Sequence, residues 1–191
     1  TVAVGWSSLV HPFISALPAV MMPRIASITD PIEQKNLLTQ LIRVGNLITF
    51  VVCIIVVILT PLIFPVVFGN IYRKAVPAAM VLSIAAGFFG FSDLLGAAAQ
   101  SIGKTKMNLT AQMVGLVFTI LFLWLLLPSL KIMGAALASM ISYAIAFCVL
   151  LYLLHKQTAI SYRALFLPTR NDITVILSQL ETIVSSIRNA Q

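Results

Sequence analysis

Apolar residues run along this chain in five blocks, separated by short stretches that gather nearly all of its charge. The blocks lie at about 2–26, 47–68, 76–102, 109–127 and 132–154. Each is close to the roughly 20 apolar residues that a helix needs to cross the ~30 Å hydrocarbon core of a bilayer. The second block opens Leu47-Ile-Thr-Phe-Val-Val-Cys-Ile-Ile-Val-Val-Ile, with none of the alternation that marks a strand of a membrane barrel. The pattern therefore predicts an all-α integral membrane protein with five transmembrane helices. Only a turn containing Pro128, Ser129 and Lys131 separates the last two blocks, which predicts an antiparallel hairpin.

Beyond the fifth block the pattern changes. A polar linker over 157–170 is expected to be cytoplasmic, and Asn171 is placed to cap a helix over 171–191. In that helix Ile173, Ile176, Leu177, Leu180, Ile183, Val184 and Ile187 recur at helical spacing opposite Ser178, Gln179, Glu181 and Arg188. This is the signature of an amphipathic helix lying on a membrane or on another part of the protein, not of a sixth span. Residues 1–156 form the transmembrane unit. The chain opens at Thr1 with no signal-peptide pattern, and we expect it to be an N-terminally truncated piece of a longer transporter or channel.

Composition agrees with the block pattern: 60% of the 191 residues are hydrophobic, 9% are charged, and the mean hydropathy is +1.07. The net charge of +7 is mostly a topology signal. Nine cations (Arg24, Lys35, Arg43, Lys104, Lys106, Lys156, Arg163, Arg170 and Arg188) fall on one side of the five spans and three (Arg73, Lys74 and Lys131) on the other. Short loops rich in Lys and Arg stay inside, so the loops after the first and third spans and the C-terminus are expected in the cytoplasm. These cations flank apolar spans without any nucleic-acid motif, which argues against a nucleic-acid partner. Cys53 and Cys148 lie mid-span and, with two histidines, make no metal-ligand spacing; neither a metal nor another cofactor is indicated.

One carboxylate interrupts the third block. On a helical period Asp93 shares a stripe with Ala86, Gly90, Ala97, Gln100 and Lys104. It lies nine residues before Ile102, about 14 Å from the cytoplasmic end and near mid-depth. An ionised acid at the centre of a spanning helix costs about 2.5–3.5 kcal/mol on insertion scales, so such groups face a polar cavity, pair with a cation or stay protonated. Asp93 is the candidate for ion coupling or substrate contact; its bland alternative is a hydrogen bond that fixes packing. In the first block Ser7, His11, Ser15 and Pro18 share a face and Pro12 and Pro18 bend the helix, which suits a gate with a titrating His11. Arg24 and Lys104, at the same level, are candidates for holding an anionic head group, with Ser15 and Gln100 alongside. In the fifth block Gly134, Ala138 and Ser142, with Ala135 and Ser139, form a small-residue face read as packing, and Tyr143 and Tyr152 are read as packing or interface anchors. Asn108-Leu-Thr110 matches a glycosylation acceptor but falls on the expected cytoplasmic side, and Asp30 and Glu33 read as surface charge.

Four stretches, in order, resemble the multidrug, oligosaccharidyl-lipid and polysaccharide exporter superfamily, specifically its lipid-linked oligosaccharide flippases. They are Leu17-Pro-Ala-Val-Met-Met-Pro-Arg-Ile-Ala-Ser27, Phe68-Gly-Asn-Ile-Tyr-Arg-Lys-Ala75, Ala99-Gln-Ser-Ile-Gly-Lys-Thr-Lys106 and Met133-Gly-Ala-Ala-Leu-Ala-Ser-Met-Ile-Ser-Tyr143. The resemblance covers residues 1 to about 167. It implies most of the C-terminal lobe of a two-lobe flippase of twelve to fourteen helices, whose partner would be the N-terminal lobe of the same protein. It further implies a bacterial inner-membrane location and alternating access, with no enzymatic activity. The implied substrate is an undecaprenyl-pyrophosphate-linked oligosaccharide, moved outward for O-antigen or other surface polysaccharide assembly alongside membrane lipids and other polysaccharide assembly proteins. Arg24 and Lys104 would then meet the pyrophosphate and Asp93 and His11 would couple movement to an ion gradient. The rival readings are a multidrug/cation antiporter of the same superfamily and a non-transporting membrane scaffold subunit.

Overall fold

The computed structural model describes residues 25, 27–28, 30–158 and 160–166. The first predicted span up to residue 24, with His11, Ser15 and Arg24, and the expected amphipathic helix over 171–191 lie outside the described residues. The described chain is almost entirely helical, in the order α1 (Pro31–Phe68), a short 3-10 turn (Asn70–Ala75), α2 (Val76–Ser101), α3 (Thr105–Thr158) and α4 (Tyr162–Phe166). Three of these helices are long and apolar enough to cross a membrane. The chain is an all-α membrane protein.

Helix α1 begins sixteen residues before the predicted span, because its first turns are amphipathic rather than wholly apolar. Asp30 caps it, accepting a hydrogen bond from the Ile32 N–H at 3.0 Å, with Pro31 and Glu33 in the first turn. That is the residue order a helix N-terminus favours. Asp30 is thus a cap, more than the surface charge expected. Over the first four turns Leu38 and Ile42 point inward and are fully buried while Glu33, Lys35 and Asn36 face out. Pro61 and Pro65 occupy the last turns, and Gly69 ends the helix at φ 87, ψ 160, a conformation essentially reserved for glycine.

The α2 to α3 turn is built by Gly103. At φ 74 it donates its N–H to the Gln100 carbonyl at 2.9 Å, while the Lys104 N–H reaches the Ala99 carbonyl at 2.8 Å. These are the two bonds of a Schellman cap, which needs a left-handed residue where glycine now stands. The cap stops α2 at Ser101, so Lys104 belongs to the turn and not to the helical stripe on which the sequence places it.

Helix α3 is two helices. Lys131, at φ 50 and ψ −125, breaks it just after Pro128. A Cβ on Gly115 would come within 2.9 Å of the Ala146 Cβ, although a straight helix would hold those residues about 46 Å apart. The arms therefore fold back on one another as an antiparallel hairpin. Near the bend, a Cβ on Gly134 would overlap the Leu126 carbonyl, and further along the seam Ala138 and Ser142 are fully buried. The small-residue face closes the hairpin backbone against backbone.

Helix α2 stands in the middle. Gly45 of α1 abuts Leu94, Cys53 abuts Gly87, and the Cys53 thiol donates to the Ser83 carbonyl at 3.6 Å, which runs α1 antiparallel to α2. On the hairpin side Asn108 lies on Gly96, Phe147 meets Phe88 and Phe91, and Tyr143 meets Phe89 at 5.5 Å. The main core gathers Leu38, Ile42, Leu94, Leu95, Ala98, Met107, Leu150, Leu154, Ile160 and Leu165 at the end of the bundle where the Schellman turn lies. A smaller cluster around Phe64 and Ala79 closes the other end.

Candidate functional site

The geometry of α2 decides where Asp93 points. Successive residues turn by about 100°, so Gly87 and Leu94 share the face toward α1, while Phe88, Phe91 and Gly96 cover the sides toward the hairpin. Asp93 and Gln100 fall between the Phe89 edge and the α1 seam, on a face where Ala97 and Gly90 are buried. Asp93 is half-buried, and among the described residues its carboxylate makes no hydrogen bond and no ion pair. It sits eight residues before Ser101, about 12 Å from that end of the helix and nearer to it than to the other.

Gln100 is exposed two turns further along the same face, and Lys104 is exposed in the capped turn beyond it. The structure thus brings Asp93 and Gln100 onto one face, with Lys104 at its mouth. Arg24, Ser15 and His11 lie outside the described residues. Among the described residues no group of three or more His, Cys, Asp or Glu side chains could hold a metal ion.

Several polar residues that the sequence reading passed over are buried at the helix seams. Asn46 and Thr49 lie one turn apart on α1, at 4% and 1% exposure, in a stretch read as a loop edge and a plain span. Ser92 is buried beside Asp93 on α2. Asn108 packs its carboxamide on Gly96 with a buried Oδ1 that has no hydrogen-bond partner among the described residues, and Thr110 donates to the Lys106 carbonyl at 2.8 Å. The acceptor triplet is thereby absorbed into a helix packing contact. The signal that could have found Asn46 and Thr49 is their helical spacing from Leu38 and Ile42, which runs through the amphipathic start of α1.

No protein family and no solved structure matches the chain. An uncharacterized membrane protein of Methanocaldococcus jannaschii is 31% identical over 110 residues, taking in 52% of this chain and 22% of that protein. The chain spans less than a quarter of that relative's length. The likeness and the three long apolar helices agree on one conclusion: this is a membrane protein.

Proposed function

We propose that the chain is part of an alternating-access flippase that carries an undecaprenyl-pyrophosphate-linked oligosaccharide from the inner to the outer leaflet of a bacterial inner membrane. The observation that carries this reading is Asp93, a half-buried acid on an apolar helix with no hydrogen bond or ion pair among the described residues. A carboxylate fixing packing would bond across a seam; one that makes no such bond is available to a cavity, a proton or an ion.

Gln100 and Lys104 support the same reading, since Gln100 shares the face with Asp93 and Lys104 stands exposed in the turn beyond it, a cationic mouth suited to a phosphorylated head group. The polyprenyl tail would stay in lipid, beside the apolar outer faces of α1 and the hairpin. A second lobe opposite this face would complete the cavity, and protonation or ion binding at Asp93 would bias which side it opens to.

The test is Asp93→Asn in the intact protein that carries this chain, expressed at matched levels, with lipid-linked glycan reaching the outer leaflet as the readout. The amide keeps the shape and removes the charge. Transfer falling at least tenfold is expected; unimpaired transfer removes the coupling role and with it the reading's main support.

A further inference from the structure

Helix α1 and the hairpin hardly touch each other, because α2 stands between them. Their ends are joined instead by residues 160–166, the chain that follows the hairpin's second arm. The Asn46 Nδ2 of α1 donates to the Leu165 carbonyl at 3.2 Å, a bond 119 positions long in sequence and buried. Ile160 and Leu165 insert fully into the core, and Phe166 sets its edge against Phe147 at 6.1 Å. The base of this strap is fastened by His155, whose Nδ1 lies 2.6 Å from the Ile160 carbonyl and whose ring stacks on Tyr162 at 4.2 Å. A carbonyl only accepts, so Nδ1 carries the proton.

The strap docks beside polar atoms that it does not satisfy. Asn46 uses its amide N–H, while among the described residues its buried Oδ1 has no hydrogen-bond partner, and neither does the buried Thr49 hydroxyl one turn along. Elsewhere the helix hydroxyls of Thr39, Ser83, Thr119 and Ser142 each bond the carbonyl four residues back. Buried oxygens without partners oppose closure, and water reaching them favours opening. Against this stand the Asn46 and His155 hydrogen bonds, the Tyr162 and Phe166 ring contacts and the burial of Ile160 and Leu165.

From this balance we infer that the 160–166 strap is a releasable latch: it fastens the hairpin to α1 when closed and lifts from Asn46 in the folded protein. This inference stands apart from any substrate. The hairpin and α2 would then move against α1 only with the latch open.

The measurement is the rate at which a membrane-impermeant maleimide, applied to both faces of opened vesicles, labels Leu165→Cys in the intact protein with Cys53→Ser and Cys148→Ser. Ser142→Cys, fully buried in the hairpin seam, is the reference. Leu165→Cys is expected to react faster than Ser142→Cys, and Asn46→Leu is expected to speed it by about tenfold, the factor that one ordinary hydrogen bond gives an equilibrium. Ser142→Cys should stay protected throughout. Labelling of Leu165→Cys as slow as the reference and indifferent to Asn46→Leu overturns the latch, because the strap is then fixed core. Both cysteines rising together overturns it as well, because the strap is then integral to the fold.

Discussion

Helix α2 and the first arm of the hairpin are both apolar helices, yet α2 buries half its residues and the first arm only a few. The buried positions of α2 are mostly small: Ala78, Ala79, Ser83, Ala85, Gly87, Gly90, Ser92, Gly96, Ala97, Ala98 and Ala99, joined by only two leucines, Leu94 and Leu95. The first arm turns Leu109, Met113, Leu116, Val117, Ile120, Leu121, Trp124 and Leu125 outward and buries only Met107, Ala111 and Gly115. In water the large apolar side chains would be driven inside; lipid solvates them equally well, so helices associate through close backbone approach and van der Waals contact instead. The middle helix is middle because its small residues let three neighbours approach it.

Substitutions that add one methyl to the small seam should therefore hurt more than substitutions that remove methyls from the broad outer face. The largest effect is expected for Gly134→Ala, where the new Cβ meets the Leu126 carbonyl, which is backbone and cannot rotate away. A loss of about 3 kcal/mol, the upper end of over-packing costs, should appear in thermal or denaturant unfolding in micelles. A loss below about 1 kcal/mol would mean the hairpin arms part easily.

Gly87→Ala comes next. Its Cβ would lie 2.7 Å from the Cys53 sulfur, and we expect a loss of about 1–2 kcal/mol. Adding Cys53→Ala should recover most of it, since the sulfur is the obstacle; no recovery would place the strain elsewhere in the α1 seam. The smallest effect is expected for Val117→Ala on the lipid-facing side, where Val117 is 64% exposed. Its change should stay within about 0.5 kcal/mol, and a larger loss would reveal a packing partner on that face.

How much of this was legible differs by element. Val76–Ser101 and the hairpin bend at Lys131 follow from long apolar runs interrupted by Gly103 and Pro128, signals that are local and strong. The early start of α1 was also written locally, in Asp30-Pro31 and the spacing of Leu38 and Ile42, but an amphipathic helix outside the apolar block falls below a search for continuous hydrophobicity. Of the candidate site, Asp93 and its sharing of a face with Gln100 were readable from helical period alone. Lys104 does not continue the helical stripe, because the helix ends at Ser101 and the left-handed Gly103 carries the chain into the turn where Lys104 stands. The buried Asn46, with its bond to a carbonyl 119 residues away, had no local sign.

The sequence by itself determined that the chain is helical and lives in a membrane, since length, hydropathy and the breaking residues act within a few turns of backbone. It also determined that one acid would sit inside an apolar helix. Only the tertiary structure decided which way that acid points, which small residues meet which neighbours, and where the last described segment is fastened. Those outcomes depend on contacts between residues far apart in the chain, and in lipid, where hydrophobicity no longer sorts inside from outside, nothing but the fit between helices can choose them.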